Sequence, residues 1–305
     1  MVLGWLLAAC TAVPDSESEL PATRVADGVY AFLGSSGEAN PVNGGEVGNG
    51  GFIVGETGTV MINTGSSYRH GRRMIAAAEQ IGGRPVVLAV ITQPLQEFVM
   101  GSAAFEERGI PLMAQAASAT LIGQRCERCL HNLTRLLGLE AMQGTQVIVP
   151  ERRLSGSTSL NPGGRPLRLL DFGRAQTPGD LAVLDERSHV LFAGGLVSIG
   201  RLPDVRDADP PHWIAALAEL QALPVERLVP GYGPIGTKAA LAEVAGYLEA
   251  LERSVRALLR SGASLSEAVP AGVLPDYAGW SLYGLLQPRN VQQTYLRLEA
   301  EEFDR

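Results

Sequence analysis

Val86-Val87-Leu88-Ala89-Val90-Ile91-Thr92-Gln93-Pro94-Leu95-Gln96-Glu97-Phe98-Val99-Met100-Gly101 is the stretch on which the reading of this chain turns. Its first six residues form a continuous apolar run of strand length, the pattern of a strand buried on both faces. The loop that follows begins at the strand's carboxyl end, where open α/β sheets usually place their sites. Upstream, Tyr68 to Ile81 suits a helix, with Met74, Ala77, Ala78 and Ile81 at helical spacing. Before it come the strand-like runs Val29–Leu33, Phe52–Val54 and Val60–Ile62, punctuated by Asp27-Gly28, the Gly/Asn-rich loop Asn40–Gly51 and Gly55-Glu56-Thr57-Gly58.

Downstream, Gln115 to Gln143 is largely helical and carries Cys126 and Cys129. A second series of strands then follows at Leu167–Leu170, Leu181–Leu184 and Val190–Phe192, with a helix at Pro211–Ala222 and a short strand at Arg227–Val229. The last two strands are expected to end in glycine-bearing loops, Ala193-Gly194-Gly195 and Pro230-Gly231-Tyr232-Gly233-Pro234. Two comparable halves of strands mixed with helices suit a sheet-on-sheet core with helices outside. Leu241, Val244, Leu248, Leu251, Val255 and Leu258 then recur at three- and four-residue steps, one apolar helical stripe. Thr237 and Gly262 suit its start and end. The tail Trp280–Arg305 is expected to pack a final helix.

At 305 residues the chain can bury a large core. Hydrophobic content of 46% and charged content of 19% fit a globular protein. A formal net charge of -7 argues against nucleic acid as a partner, since no basic face is implied. The apolar start Met1–Cys10 is too short to span a bilayer as a helix. Its Leu7-Ala8-Ala9-Cys10 resembles the lipobox of bacterial lipoproteins, although no Lys or Arg precedes Cys10. Residues 1–10 therefore read as a signal segment with Cys10 lipidated, and 11–22 as a flexible tether. Residues 23–236 and 237–305 read as a main domain and a helical C-terminal extension.

From about Ala26 to Gly236 the chain resembles metallo-β-lactamase-fold hydrolases. Within them it looks most like the quinoprotein relay system zinc metallohydrolases, a group linked to periplasmic sulfur or alcohol oxidation. The resemblance rests on Asn49-Gly50-Gly51-Phe52-Ile53-Val54-Gly55, Ile62-Asn63-Thr64-Gly65, Thr177-Pro178-Gly179-Asp180-Leu181, Leu191-Phe192-Ala193-Gly194 and Val229-Pro230-Gly231-Tyr232-Gly233-Pro234. Pro288-Arg289-Asn290-Val291 resembles that group's ending. The resemblance implies an α/β (α+β) architecture, an αββα sandwich with a helical extension.

It also implies a zinc site, and the matching positions do not carry one. The family's Thr-His-x-His-x-Asp-His loop aligns with Gln93, Leu95, Glu97 and Phe98. Asn63 stands where a supporting Asp is expected, Gln176 and Tyr232 where later histidines are, and Gly195 where a bridging Asp is. Catalytic zinc needs several His, Asp, Glu or Cys ligands and an open position for water. Only Glu97 keeps a ligand's chemistry, so no cofactor is expected and no zinc-bound hydroxide can form. The expected arrangement is a plug in which Leu95 and Phe98 fill the cavity while Gln93, Gln176, Asn63 and Tyr232 satisfy one another.

Other residues offer weaker centres. His70, His189 and His212 read as surface or helix-start side chains, and Asp180 as a brace for its turn. Ser66 and Ser67 show no evident histidine partner. Cys126-Glu127-Arg128-Cys129 puts two thiols on one helical face, read first as a local structural disulfide and second as a redox pair. The leading functional expectation is a non-catalytic periplasmic pseudoenzyme, tethered through Cys10, that binds a small molecule or a protein partner. The alternative is an ester, thioester or lactone hydrolase using Glu97 as general base or a non-standard metal.

Overall fold

Strand alternation decides how this chain layers itself. In β4 (Thr59–Ile62), Val60 and Ile62 face one core while Met61 faces another. In β10 (Asp180–Asp185), Leu181 and Val183 join the first of those cores, and Ala182 and Leu184 a third. Successive side chains on a strand point to opposite faces, so a sheet apolar on both faces must be covered twice. The structure, a computed structural model, describes residues 20–303. Cys10 and the tether up to residue 19 lie outside them.

Two sheets result. The first has seven strands in chain order: β1 (Thr23–Ala26), β2 (Val29–Phe32), β3 (Gly50–Val54), β4, β5 (Val86–Val90), β6 (Leu112–Gln115) and β7 (Arg152–Leu154). It is antiparallel from β1 to β4 and parallel from β4 to β7. The second has five, ordered β12-β11-β10-β9-β8, with β8 (Thr158–Leu160), β9 (Leu167–Gly173), β11 (Val190–Ser198) and β12 (Arg227–Tyr232). Val29, Ile53, Val90, Leu169, Val183 and Phe192 meet between the sheets.

Helices cover both outer faces. On the first sheet lie α1 (Tyr68–Gly82), the short α2 (Gln96–Val99) and α3 (Ser102–Glu107), and α4 (Ala116–Leu137). On the second lie α5 (Pro210–Gln221), α6 (Ala239–Arg260), α7 (Leu265–Ala271) and α8 (Tyr283–Phe303). The mixed αββα sandwich expected from the sequence is the observed fold. Among the described residues no helix is long and apolar enough to cross a membrane.

The C-terminal helices share a single core with the second sheet: Leu191, Trp213, Val244, Leu248, Val291 and Leu298 belong to one cluster. Asn290 ties them down. Its Nδ2 donates to the Pro203 carbonyl and to the Tyr247 hydroxyl, both at 2.7 Å, and its Oδ1 accepts from Val205 N–H at 3.2 Å. Gln287 accepts from the Tyr247 hydroxyl at 2.9 Å and donates to Gly272 O at 2.7 Å. The Pro288-Arg289-Asn290-Val291 segment thus sits inside α8, locked to α6 by Asn290 within it and Gln287 just before it.

Both expected loops begin inside strands, Pro230-Gly231-Tyr232 forming the end of β12. Ala193-Gly194-Gly195 lies within β11, which runs on to Ser198. The strand is kinked rather than ended, because Gly194 adopts φ 55 and the pairing with β12 slips there. A Cβ at Gly194 would crowd the Thr92 side chain, so the irregularity lets the two sheets approach.

Candidate functional site

The carboxyl ends of β4 and β5, the start of β10 and the middle of β11 converge at one edge of the sandwich. Backbone contacts join the sheets there: Leu181 N–H donates to Thr92 O at 2.9 Å, and Asn49 N–H to Gly231 O at 2.8 Å. Asn49 extends this clamp with its side chain, donating to Pro230 O (2.9 Å) and Gly233 O (2.8 Å) and accepting from Gly34 N–H at 2.9 Å.

Asn63 sets the first turn. It sits at φ 62, a left-handed conformation that asparagine tolerates better than most residues. Its Oδ1 accepts from Thr92 N–H (3.0 Å) and Thr92 Oγ1 (2.9 Å), and its Nδ2 donates to Asn49 O at 3.0 Å. Thr64 then binds the loop after β5, its N–H and hydroxyl both donating to Phe98 O. Gly101 is needed beside it, because a Cβ there would overlap the Thr64 carbonyl.

The centre of the edge is a closed polar seam. Gln93 is fully buried. Its Nε2 donates to Gln176 Oε1 at 2.8 Å and to Asp180 Oδ1 at 2.5 Å, while its Oε1 accepts from Gly195 N–H at 2.5 Å. Asp180, also fully buried, accepts in addition from Thr177 Oγ1 (2.6 Å), Thr177 N–H (2.8 Å) and Ala175 N–H (3.1 Å). Burial pushes the Asp180 carboxyl up to about 6, against the pull of these donors. A Cβ on Gly195 would overlap Gln176 Oε1 and lie 2.5 Å from Gln93 Oε1, so glycine is what lets the amides close.

A second cluster stands apart from this one. Phe98 is fully buried and its ring lies 5.6 Å from that of Tyr232. The Tyr232 hydroxyl donates to Glu97 Oε1 at 2.5 Å, and the Arg201 guanidinium sits over the Tyr232 ring at 4.0 Å. Burial first, and then the Glu97 charge, hold the Tyr232 phenol well above its usual range, so it is a donor and no anionic ligand. Leu95 is only half-buried. The expected plug is therefore several units: Gln93 with Gln176, Asn63 with Asn49 and Thr92, and Tyr232 with Glu97.

Donor chemistry decides whether zinc fits. Gln93 spends its carbonyl oxygen on a backbone N–H and turns its NH₂ toward Gln176 and Asp180, which is the polarity opposite to a ligand's. Phe98 and Gly195 have no side-chain ligand atom, and Tyr232 is a protonated phenol. The residues present do not fit the metal. Among the described residues, no group of three His, Cys, Asp or Glu side chains is placed to hold an ion.

No protein-family model and no curated protein matches the chain. Its two-sheet architecture does match solved structures. A metallo-β-lactamase from Pontibacter korlensis superposes with a TM-score of 0.62 at 21% identity, over 75% of this chain and 99% of its own. The chain has the metallo-β-lactamase fold. The metallo-β-lactamase FIM-1 from Pseudomonas aeruginosa, in its mono-zinc form, gives 0.61 at 20% identity, over 76% of this chain and 96% of its own. A metallo-β-lactamase from Erythrobacter litoralis, with β-mercaptoethanol in its active site, gives 0.60 at 18%, over 76% and 96%. At such identities the metallo-β-lactamase likeness concerns the fold alone.

Beside the seam, the metallo-β-lactamase fold here opens a cleft under the Asn40–Gly51 loop. A cavity of about 160 Å³, lined by Glu46, Gly48, Asn49, His70, Arg73 and Glu97, adjoins a shallower one of about 520 Å³ that shares Glu46, His70 and Arg73. His70, expected at the surface, is buried. The α1 start folds it inward, so Nδ1 receives Ser66 N–H and lies 3.2 Å from Ser66 Oγ. Ser66 thus has the histidine partner that the sequence left unassigned. The signal was their four-residue spacing across a helix start, with Ser67 as the N-cap. Burial keeps the His70 imidazolium disfavoured, partly offset by Glu46. His212 Nε2 lies 2.9 Å from Phe172 O.

Cys126 and Cys129 are placed as two thiols, Cys126 buried and Cys129 half-exposed. They lie in the uninterrupted helix α4. There residues three apart hold their Cβ atoms about 5–6 Å apart, whereas a disulfide needs about 3.5–4.5 Å.

Proposed function

We propose that this protein is a metallo-β-lactamase-fold pseudoenzyme, exported and tethered outside the cytoplasm through Cys10, that acts by binding. The observation carrying the proposal is the seam. Gln93, Gln176, Asp180 and Gly195 satisfy one another where a hydrolytic metal would need unpaired donors. A buried polar network closed in this way has no group left to activate water. Binding then falls to the cleft beside it, whose walls mix Glu46, Glu97, His70 and Arg73 with Phe32, Leu33 and Met74. That mixture suits a small molecule bearing polar groups of both signs on an apolar body.

The hydrolase reading has one observation in its favour: Glu97 lines the same cleft and is oriented by Tyr232. The two readings part in one experiment. Purified protein is screened for thermal stabilisation by small amphoteric metabolites, and in parallel for turnover of ester, thioester and lactone substrates with chelator present. Binding predicts a saturable rise in melting temperature with no turnover. Chelator-resistant turnover that disappears in Glu97→Gln would replace binding by hydrolysis.

A further inference from the structure

The two thiols of α4 lie at a place where chemistry is accessible. Cys126 is buried in the cluster that contains Phe98, Met100 and Tyr232, and Cys129 packs on its edge beside Leu95 and Leu130. The pair therefore packs on the same cluster as Phe98 and Tyr232, and Cys129 feels the charge of Glu97 on α2. One sulfur is shielded and one reachable, three residues apart on one face. We infer that Cys126 and Cys129 form a thiol–disulfide exchange site for a low-molecular-weight disulfide, with Cys129 the attacking sulfur and Cys126 the resolving one.

The asymmetry between the sulfurs supports these roles. The neighbouring Cys126 thiol, aided by Arg128, draws the Cys129 thiol below its ordinary range, while its Sγ lies 3.5 Å from Arg125 O. The neighbouring Cys129 and burial push Cys126 up, leaving it the protonated partner. In the first step the Cys129 thiolate attacks one sulfur of the substrate R–S–S–R. A Cys129–S–S–R bond forms, the substrate S–S bond breaks, and RS⁻ leaves with the electron pair. In the second step the Cys126 sulfur attacks Cys129, its proton passing to the departing thiolate. The products are the Cys126–Cys129 disulfide and, counting both steps, two RSH from one RSSR and two protein thiols.

The helix sets the direction of the equilibrium. Closing the bond draws the two Cβ atoms in by an ångström or more from their helical spacing, so the oxidised form strains α4. Strained disulfides are the more readily reduced. The oxidised pair should therefore hand its disulfide back to reduced thiols, unlike a structural staple. This inference is independent of whether the cleft binds a ligand or hydrolyses one.

The test uses the full chain, reduced and then placed in glutathione redox buffers, quenched with acid and mapped by mass. Trypsin cuts after Arg125 and Arg128, so a Cys126–Cys129 bond joins two peptides that separate when it is reduced. Wild type should form that bond with oxidised glutathione and lose it with reduced glutathione. Cys126→Ser should instead hold one glutathione on Cys129, and should be alkylated about tenfold faster at neutral pH than Cys126 is in Cys129→Ser. Circular dichroism of both variants checks that α4 is intact, and Cys126→Ala replaces Cys126→Ser if it is not. Three results would overturn the inference: wild-type thiols that stay reduced while free cysteine exchanges, equal alkylation of the two sulfurs, or a bond that reduced glutathione cannot open.

Discussion

β10 carries an aspartate at each end, both fully buried, and the two live in opposite electrostatic surroundings. At the far end Asp185 receives Arg165 Nε at 2.7 Å and Nη2 at 2.6 Å, a bidentate pair with almost no solvent contact. Arg165 also donates to Asp27 O at 3.0 Å, which ties the second sheet to the β1–β2 turn of the first. At the site end Asp180 receives hydrogen bonds from an amide, a hydroxyl and two backbone N–H groups, all neutral. A buried carboxylate with a guanidinium partner is a staple. One with only dipoles around it stays costly to ionise, which is why Asp180 is raised to about 6.

The largest effect should come from the staple. Arg165→Ala leaves Asp185 buried without its counter-charge, with only the Ser188 N–H and hydroxyl as donors, and should cost about 3–5 kcal/mol in chemical denaturation. A loss under 1 kcal/mol would mean that water reaches the far end and that the contrast is false.

Asp180 gives a smaller effect with a pH signature. Its folded pKa is raised above the ordinary 3.8, so the folded state keeps the proton after the unfolded chain has lost it. Asp180 therefore contributes its full stability below 3.8, and that contribution falls as pH rises through about 6, by about 3 kcal/mol in all. Asp180→Asn does not titrate. The stability of wild type relative to this variant should fall by roughly that amount between about pH 4 and pH 7. A difference that stays constant over this window would show that the donors compensate the charge after all.

Sequence reading reached the two ends of β10 unequally. Its alternation of Leu181 and Val183 against Ala182 and Leu184 was visible as a strand, and so were β3, β4, β5, β9 and the α6 stripe. The strands β1 and β6 were not singled out, and β7 and β8, of three residues each, are too brief for a period to register. At the site, Gln93, Phe98, Gln176, Gly195 and Tyr232 were singled out by the family resemblance. Which of them would pair was not legible. Gln93 finds Gln176 and Asp180 at sequence separations of 83 and 87 residues, and only the sandwich brings them together. His70 shows the converse: its partner was four residues away, but its burial depends on the Asn40–Gly51 loop closing over α1.

The central claim is that the amides of this edge have taken the place of a metal site. Zinc content of the full-length protein, purified from zinc-supplemented cells and dialysed without chelator, tests it most directly. The account predicts far less than one zinc per chain, and no change in that value when Gln93 is replaced by Ala. Near-stoichiometric zinc that is lost in Gln93→Ala would contradict it.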